Sequence, residues 1–313
     1  MRRGYADVVS KPGDGTGPDA ACTACGSSDL APHLRVSGAA GAEGLIPTTD
    51  RFGSALADIV RCNSCGHMQL ARMPSEAQLA AAYAEAASDD YVEEETGQRA
   101  TASADLARVE RWTPGRRLLD VGCWVGFLMA QARDRGWEVE GIEPSEFASR
   151  RARERLGLDV QTTDLFDARL EPGAFDAVVL GDVLEHFPRP ADVLDRVAFT
   201  LAPDGVVFLT LPDAGSRVAR VMGARWWSVI PTHVQYFTRG SLATLLRRRG
   251  FEPLYIGTAP KAFSVRYYLG RLSGYSHGIA DAAVGGAEAV GVADRLWAPD
   301  FRDRMAVVAR RAG

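Results

Sequence analysis

Short apolar runs alternate with amphipathic stretches from Arg116 to the end of the chain. Runs bounded by Gly, Pro or Asp predict buried strands, whereas apolar residues spaced three or four apart predict helices. The predicted strands are residues 117–121, 138–143, 160–162, 175–180, 205–211, 253–257 and 304–309. The predicted helices between them are residues 127–135, 146–156, 191–201 and 241–249. This alternation predicts parallel pairing with right-handed crossovers, and therefore an α/β fold with a Rossmann-like, doubly wound sheet.

Changes in composition divide the chain into further parts. Residues 1–20 are rich in Gly, Pro and Asp and predict a disordered tail. We expect a small cysteine-containing module at residues 21–75 and a helical linker at residues 76–112. The α/β core then occupies residues 113–258, and residues 259–313 hold a lid segment and the last strand of the core.

The composition of the 313 residues, 46% hydrophobic and 24% charged, is that of an ordinary globular protein. The sequence has no apolar run of about 18 residues, so no membrane span is expected. Its first residues lack the apolar core of a signal peptide, which predicts a cytoplasmic protein. Residues 1–110 carry 9 basic and 16 acidic side chains. Because nucleic-acid-binding proteins need a basic face, this acidic half argues against a nucleic-acid partner.

Four of the five cysteines form two Cys-x-x-Cys pairs, Cys22 with Cys25 and Cys62 with Cys65. A glycine follows each pair, and two such turns that converge give the closed thiolate site of structural zinc. A redox pair or free buried cysteines are the alternatives. His67 lies close to the second pair, and we expect a surface histidine there and not a ligand.

A glycine turn separates the first strand of the core from its first helix, in the sequence Asp120-Val121-Gly122-Cys123-Trp124-Val125-Gly126. In a parallel sheet this turn lies at the carboxyl edge of the strands, where ligands bind. Trp124 and Phe127 occupy two of the three glycine positions of a dinucleotide-binding fingerprint. A ligand with a pyrophosphate group is therefore disfavoured.

Two acids follow the next two predicted strands. Glu143 ends the second strand, where a carboxylate can accept hydrogen bonds from both ribose hydroxyls. Asp164 follows the third strand, where it can accept a bond from the amine of adenine. The alternative for both residues is a carboxylate that stabilises a turn.

The stretch from Leu118 to Pro212 resembles the class I S-adenosylmethionine-dependent methyltransferases. The matching segments, in chain order, are LLDVGCWVGFL, WEVEGIEPS, TTDL, FDAVVLGDVLEHF and LAPDGVVFLTLP. The resemblance implies a Rossmann-like core that binds S-adenosylmethionine. The implied cofactor-binding residues are Asp120, Gly122 and Gly126 at the methionine end, Glu143 at the ribose, Asp164 at the adenine, and Asp182 after the fourth strand.

A broader resemblance covers about residues 20–255. A paired Cys-x-x-Cys module, this core, and a Trp-Trp and His-x-x-Tyr-Phe segment together resemble zinc-bearing methyltransferases of sugar and natural-product pathways. This resemblance implies a small-molecule acceptor, and we favour a hydroxyl of a sugar or secondary metabolite. C-methylation of a nucleotide-linked keto-sugar, a zinc-ribbon RNA methyltransferase and a non-catalytic cofactor-binding module are the alternatives.

His186 and His233 are the candidate catalytic bases. Each follows a strand whose carboxyl end faces the expected methyl position, and imidazole titrates near neutral pH. The alternative is a structural role, capping a turn or holding a loop. Asp182, Glu185 and His186 also match an acid-x-x-Glu-His cluster that holds a divalent cation in some O-methyltransferases, with His233 as a fourth ligand.

Aromatic residues near the end of the chain have two interpretations. Trp226, Trp227, Tyr267 and Tyr268 form either a wall over a sugar or ring, or a packing surface against the sheet. The segment 263–275 is expected to form a lid between the last two strands.

Overall fold

The computed structural model describes residues 21–38, 52–75, 79 and 93–312. The predicted tail at residues 1–20 and most of the first half of the predicted linker lie outside these residues. The strands within them are β1 (Leu30–Leu34), β2 (Ser37–Gly38), β3 (Ser54–Ala55), β4 (Ile59–Cys62), β5 (Met68–Leu70), β6 (Arg117–Val121), β7 (Glu138–Ile142), β8 (Val160–Gln161), β9 (Phe175–Gly181), β10 (Leu201–Pro212), β11 (Gln235–Tyr236), β12 (Phe251–Thr258), β13 (Phe263–Ser264), β14 (Leu296–Trp297) and β15 (Arg304–Arg311).

The helices are α1 (Glu95–Val109), α2 (Phe127–Asp134), α3 (Glu146–Leu156), α4 (Pro190–Thr200), α5 (Arg217–Met222), α6 (Arg239–Arg248), α7 (Val265–Gly270) and α8 (His277–Ala289). Short 3-10 helices cover Leu184–His186, Gly223–Arg225 and Arg271–Gly274. In the described part of the chain, no helix is both long enough and apolar enough to cross a bilayer. The predicted core strands and helices coincide with observed ones, and no end differs by more than four residues.

The central sheet has seven strands in the order β12-β15-β10-β9-β6-β7-β8. The pairs among β10, β9, β6, β7 and β8 are parallel. The predicted α/β, Rossmann-like sheet is therefore confirmed.

The prediction of parallel pairing is wrong for the last strand. β15 lies between β12 and β10 and is antiparallel to both. The chain leaves β12 at Thr258, and the connecting segment 259–303 lies along the same edge of the sheet. Because the chain re-enters the sheet from that edge, the strand that follows must run in the opposite direction.

Successive strand residues pack against opposite faces of the sheet, as the two-residue period of a strand requires. Leu118 belongs to the core on one face, with Leu106 of α1, and Leu119 belongs to the core on the other face, with Leu194 of α4. Helices thus cover both faces, which explains why the central strands are apolar almost throughout.

A second sheet joins the cysteine-containing module to the core. Its order is β1-β4-β5-β11, so three strands come from residues 30–70 and the fourth, Gln235–Tyr236, comes from the core. His67 follows the second cysteine pair and is fully buried at this junction. The expectation of a surface histidine was wrong, because the ring lies between Thr23, Gln235 and Ser241 and bonds to them.

Candidate functional site

A cavity of about 1080 Å³ opens at the carboxyl edge of the central strands. Single small-molecule sites usually measure about 300–1,000 Å³, so this space suits a cofactor together with a second small molecule. The loops after β6, β7, β8 and β9 line one side. The segments 227–233 and 259–304 line the other side.

The glycine turn after β6 forms the floor of the cavity. Gly122 and Gly126 have φ angles of 71° and 83°, in the left-handed region that favours glycine. A Cβ atom on Gly122 would lie 2.7 Å from Cγ2 of Val183, so a side chain has no room there. A Cβ atom on Gly126 would lie 2.4 Å from Cδ1 of Leu158, so both positions of the turn require glycine.

Glu143 is the first residue of the loop after β7 and is 6% exposed. Its Oε2 accepts the backbone N–H of Trp124 at 2.8 Å, and its Oε1 accepts that of Ser145 at 2.8 Å. Burial raises the pKa of Glu143 against these two bonds, which lower it. Asp120 lies beside it at 4% exposure, and burial, followed by the charge of Glu143, raises the pKa of Asp120 to about 8. Both acids line the cavity.

Asp164 lines the same side of the cavity. Its Oδ1 accepts the backbone N–H groups of Phe166 at 2.8 Å and Asp167 at 2.9 Å. This carboxylate therefore stabilises a turn, as the alternative interpretation expected. Neither bond involves Oδ2, so this oxygen can accept a hydrogen bond from a ligand in the cavity.

Asp182 directly follows β9, lines the cavity and forms ion pairs with Lys261 and Arg304. Burial would raise the pKa of Asp182, but these two cations hold it well below its usual range. Neither partner of Asp182 was predicted from the sequence. Lys261 is one of only two lysines in the chain, and that rarity was the available signal.

Glu185, His186 and His233 form a cluster at the cavity, in which one ligand atom from each lies within 4.8 Å of the others. Glu185 is 2% exposed, and neither of its carboxylate oxygens has a hydrogen-bond partner among the described residues. Burial, and then the charge of Asp182, raise the pKa of Glu185 to about 8. Glu185 was predicted only as a cation ligand, because burial by distant segments leaves no local signal in the sequence.

The two histidines bond differently. His233 Nδ1 lies 2.8 Å from the carbonyl oxygen of Ser228, and its Nε2 lies 4.0 Å from Oε1 of Glu185. Because a carbonyl only accepts, Nδ1 carries the hydrogen and Nε2 has its lone pair directed toward Glu185. Burial, followed by the proximity of His186, lowers the pKa of His233 to about 3, so the ring is neutral.

His186 Nδ1 lies 2.9 Å from the carbonyl oxygen of Thr232, and the ring centroid lies 4.8 Å from that of His233. Burial lowers the pKa of His186, whereas hydrogen bonds to the backbone of Thr232 and Asp182 raise it. These backbone contacts hold the ring beside His233.

The four cysteines of the predicted metal site converge. Sγ of Cys22 lies 3.6 Å from Sγ of Cys65, Sγ of Cys25 lies 3.6 Å from that of Cys62, and all four atoms lie within 4.8 Å of one another. Four sulfurs at 2.3 Å from a central zinc are separated by about 3.8 Å in a tetrahedron, so the geometry fits that ion.

The segment 259–303 covers the cavity with aromatic rings. Helix α7 and the 3-10 helix that follows it place Tyr267, Tyr268 and Tyr275 in the lining, and Trp297 and Phe301 follow α8. The expectation of an aromatic wall holds for Trp227, which lines the cavity, but not for Trp226, which is 2% exposed and packs in a core.

Comparison with known proteins agrees with this architecture. A family model described as a methyltransferase domain matches residues 91–256. The ubiquinone biosynthesis O-methyltransferase of Thiobacillus denitrificans is 34% identical over 151 residues, which are 44% of this chain and 65% of that enzyme, just under two thirds. The enzyme of the same name from Dechloromonas aromatica is 32% identical over 171 residues, 50% of this chain and 74% of that enzyme.

Among solved structures, the complex of the Haloferax volcanii Trm112 methyltransferase activator with a methyltransferase contains a chain with the same fold. The TM-score is 0.53 at 16% identity, over 77% of this chain and all of that chain. The family match covers more than half of the chain, from α1 to β12. The chain therefore belongs to the methyltransferase domain family, and its fold is that of the class I methyltransferases.

Proposed function

We propose that this protein transfers the methyl group of S-adenosylmethionine to a hydroxyl of a small molecule. The observation that carries the proposal is the buried Glu185 carboxyl, which has no partner among the described residues and faces the lone pair of His233 Nε2 in the cavity. A buried polar group of this kind is costly unless a ligand satisfies it. An acceptor hydroxyl supplies both a donor and an acceptor at that point.

The cofactor is proposed to lie along the loops after β6, β7 and β8. Asp120, Gly122 and Gly126 contact its methionine end, and Glu143 accepts bonds from the ribose. Asp164 accepts the adenine amine through Oδ2. Asp182, held by Lys261 and Arg304, borders the methyl end of the cofactor.

S-Adenosylmethionine supplies a methyl group on a positively charged sulfur. The acceptor oxygen forms a bond to the methyl carbon while the carbon–sulfur bond breaks, and its electron pair stays on sulfur in S-adenosylhomocysteine. The hydroxyl proton passes to Nε2 of His233, whose Nδ1–H is fixed by the carbonyl of Ser228. His186, the second candidate base, is proposed to hold His233 in place through the contact between the two rings.

We propose a structural zinc ion at Cys22, Cys25, Cys62 and Cys65. Two of these thiols are buried and two are half-buried, which suits a closed site without a position for substrate. Such an ion would stabilise the cysteine-containing module. Strands β1, β4 and β5 of this module form a sheet with β11 of the core.

A divalent cation at Glu185, His186 and His233 is the second candidate for the same cluster, favoured by three ligand atoms within 4.8 Å. Brief dialysis against a chelator separates the two. Loss of turnover that magnesium or manganese restores supports the cation, whereas turnover that persists without added metal supports His233 acting alone.

For the acceptor, the proposal names only a chemical class. The two relatives are named for O-methylation in ubiquinone biosynthesis, which favours oxygen over carbon as the methylated atom. The proposed acceptor is a hydroxyl of a sugar or secondary metabolite. The alternatives are a carbon of a nucleotide-linked keto-sugar and an RNA.

The experiment is an acceptor screen with methyl-labelled S-adenosylmethionine. Ring hydroxyls, sugar hydroxyls, keto-sugars and RNA are incubated with the protein, and label is located in the product by mass spectrometry. Label on oxygen of a small molecule supports the proposal. Label on carbon or in RNA alone would overturn it.

A further inference from the structure

The cysteine-containing module contributes an aromatic ring to the cavity. Among the described residues between positions 21 and 75, Phe52 is the one that lines it. From Phe52 the chain continues through β3 and β4 to Cys62 of the second cysteine pair. Ile59 on this stretch is 1% exposed and packs in the same core as Val229. The ring therefore extends from a segment that is anchored in the core.

Phe52 packs against the segment 259–303 that covers the cavity. The guanidinium of Arg271 lies 5.1 Å from the centre of the Phe52 ring and 5.8 Å from that of the Tyr267 ring. Such cation–aromatic contacts are favourable within about 6 Å. The centroid of the Tyr275 ring lies 5.3 Å from that of Phe52. Because Tyr267, Arg271 and Tyr275 line the cavity, Phe52 supports the residues that form its wall.

Gly274 shows how closely the two surfaces fit. A Cβ atom at this position would lie 2.3 Å from Cδ2 and 2.5 Å from Cε2 of Phe52, well inside van der Waals contact. Its φ angle is not positive, so the ring, and not the backbone conformation, requires glycine here. Gly270 differs, because a Cβ atom there would meet no atom within 4 Å. The Phe52 ring thus lies directly on the backbone of the covering segment.

The residue after Phe52 contacts the segment that holds the proposed base. The backbone N–H of Gly53 donates to the carbonyl of Val229 at 2.9 Å. The preceding carbonyl, that of Ser228, accepts the Nδ1–H of His233. Phe52 and Gly53 therefore connect the covering segment with the segment 228–233, and both of these segments line the acceptor side of the cavity.

We propose that Phe52 is a positioning residue of the acceptor site, through which the cysteine-containing module holds the segment 259–303 over the cavity. The ring fixes Arg271 and Tyr275. The backbone of Gly53 fixes the carbonyl next to the one that orients His233. This inference rests on the proposed function for the identity of the acceptor site, whereas the packing itself is tested without an acceptor.

A double-mutant cycle, read by amide hydrogen exchange on the full chain loaded with S-adenosylhomocysteine, tests the contact. Gly274→Ala should speed exchange in the segment 259–303 roughly tenfold, because the added methyl group displaces the Phe52 ring. Phe52→Ala should speed it by a similar factor. In the Phe52→Ala background, Gly274→Ala should add less than about twofold, because the ring that it displaces is absent. Gly270→Ala is the matched control and should leave exchange within about twofold.

The position of the effect separates this role from general stabilisation of the fold. In Phe52→Ala, exchange in α2 and α3 and the affinity for S-adenosylhomocysteine should stay within about twofold, because these helices lie on the cofactor side. With the acceptor that takes up label in the screen, KM for the acceptor should rise roughly tenfold while KM for S-adenosylmethionine stays unchanged.

Additive effects of Gly274→Ala and Phe52→Ala would overturn the proposal. Unchanged exchange in the segment 259–303 of Phe52→Ala, or an equal increase in α2 and α3, would overturn it too. If Phe52→Ala unfolds, Phe52→Leu completes the cycle. A screen in which no small molecule takes up label would instead contradict the proposed function, and the exchange cycle still tests Phe52, so the two failures are distinguishable.

Discussion

Gln235 Oε1 lies 2.9 Å from His67 Nε2, across 168 residues of sequence. The same oxygen accepts the hydroxyl of Thr23 at 2.8 Å, next to the first cysteine pair. On its other side, Gln235 Nε2 donates to the carbonyls of Phe187 and Pro188 at 3.1 and 3.0 Å. One amide therefore connects the cysteine module to the loop that directly follows Glu185 and His186.

Gln235→Leu tests this connection. The change removes one hydrogen-bond partner from Thr23 and one from the buried His67, and it removes the donor to two carbonyls, so the free energy of unfolding should fall by about 2–4 kcal/mol. Turnover of the best acceptor should fall roughly 10- to 100-fold, since the loop after His186 loses its anchor. Urea unfolding and steady-state kinetics measure the two effects.

If Gln235 only stabilised the fold, its replacement would weaken cofactor binding and turnover together. Affinity for S-adenosylhomocysteine should stay within about twofold in Gln235→Leu, because the cofactor loops do not touch Gln235. Equal losses of cofactor affinity and turnover would count against a selective effect on the acceptor side.

Glu143→Ala should weaken binding of S-adenosylhomocysteine at least about tenfold, because hydrogen bonds to a charged acceptor contribute about 1.5–3 kcal/mol each. Calorimetry gives the affinity. Glu146→Ala is the control, since Glu146 is exposed at the start of α3, three residues along the chain. If both variants bind like the unchanged protein, Glu143 does not hold the ribose.

The zinc proposal predicts about one equivalent of zinc per chain in protein purified without added metal. Cys62→Ser should lose most of this zinc and lower the free energy of unfolding by about 3 kcal/mol or more. Cys123→Ser, at the buried cysteine outside the cluster, should keep the zinc. Elemental analysis that finds no zinc in well-folded protein would refute the site.

His233→Ala should reduce kcat on the order of 10²- to 10⁴-fold, which is the usual contribution of a general base. Cofactor affinity should change little. His277→Ala serves as the control, because His277 is exposed on α8 and does not line the cavity. A His233→Ala variant with full turnover would mean that the proton leaves by another route.

The strands and helices of the core follow from sequence because their signals are local. Buried parallel strands such as Phe175–Gly181 are apolar at every position but Asp176, and a glycine with positive φ, Gly157, ends α3 where the periodic pattern stops. The positions of the loops proposed to hold the cofactor follow from the same logic, since each loop comes directly after a strand. The pairing of the cysteines also follows, because the spacing within each pair fixes a tight turn.

Contacts between distant segments were not predictable in this way. Nothing next to Asp182 indicates that Lys261 and Arg304 pair with it, because the segment 259–303 must first fold back along the edge of the sheet. The burial of His67 depends on Gln235 in the same manner. The direction of β15 likewise depends on where the preceding segment lies.

The most direct measurement of the central claim is a crystal structure of the protein with S-adenosylhomocysteine. We expect the ribose hydroxyls within about 2.5–3.2 Å of the Glu143 carboxylate, the adenine near Asp164, and the sulfur directed toward Glu185 and His233. That arrangement leaves the space along the aromatic wall open for an acceptor. A cofactor whose adenine stacks against Trp297 and Phe301, with Glu143 uncontacted, would contradict the account.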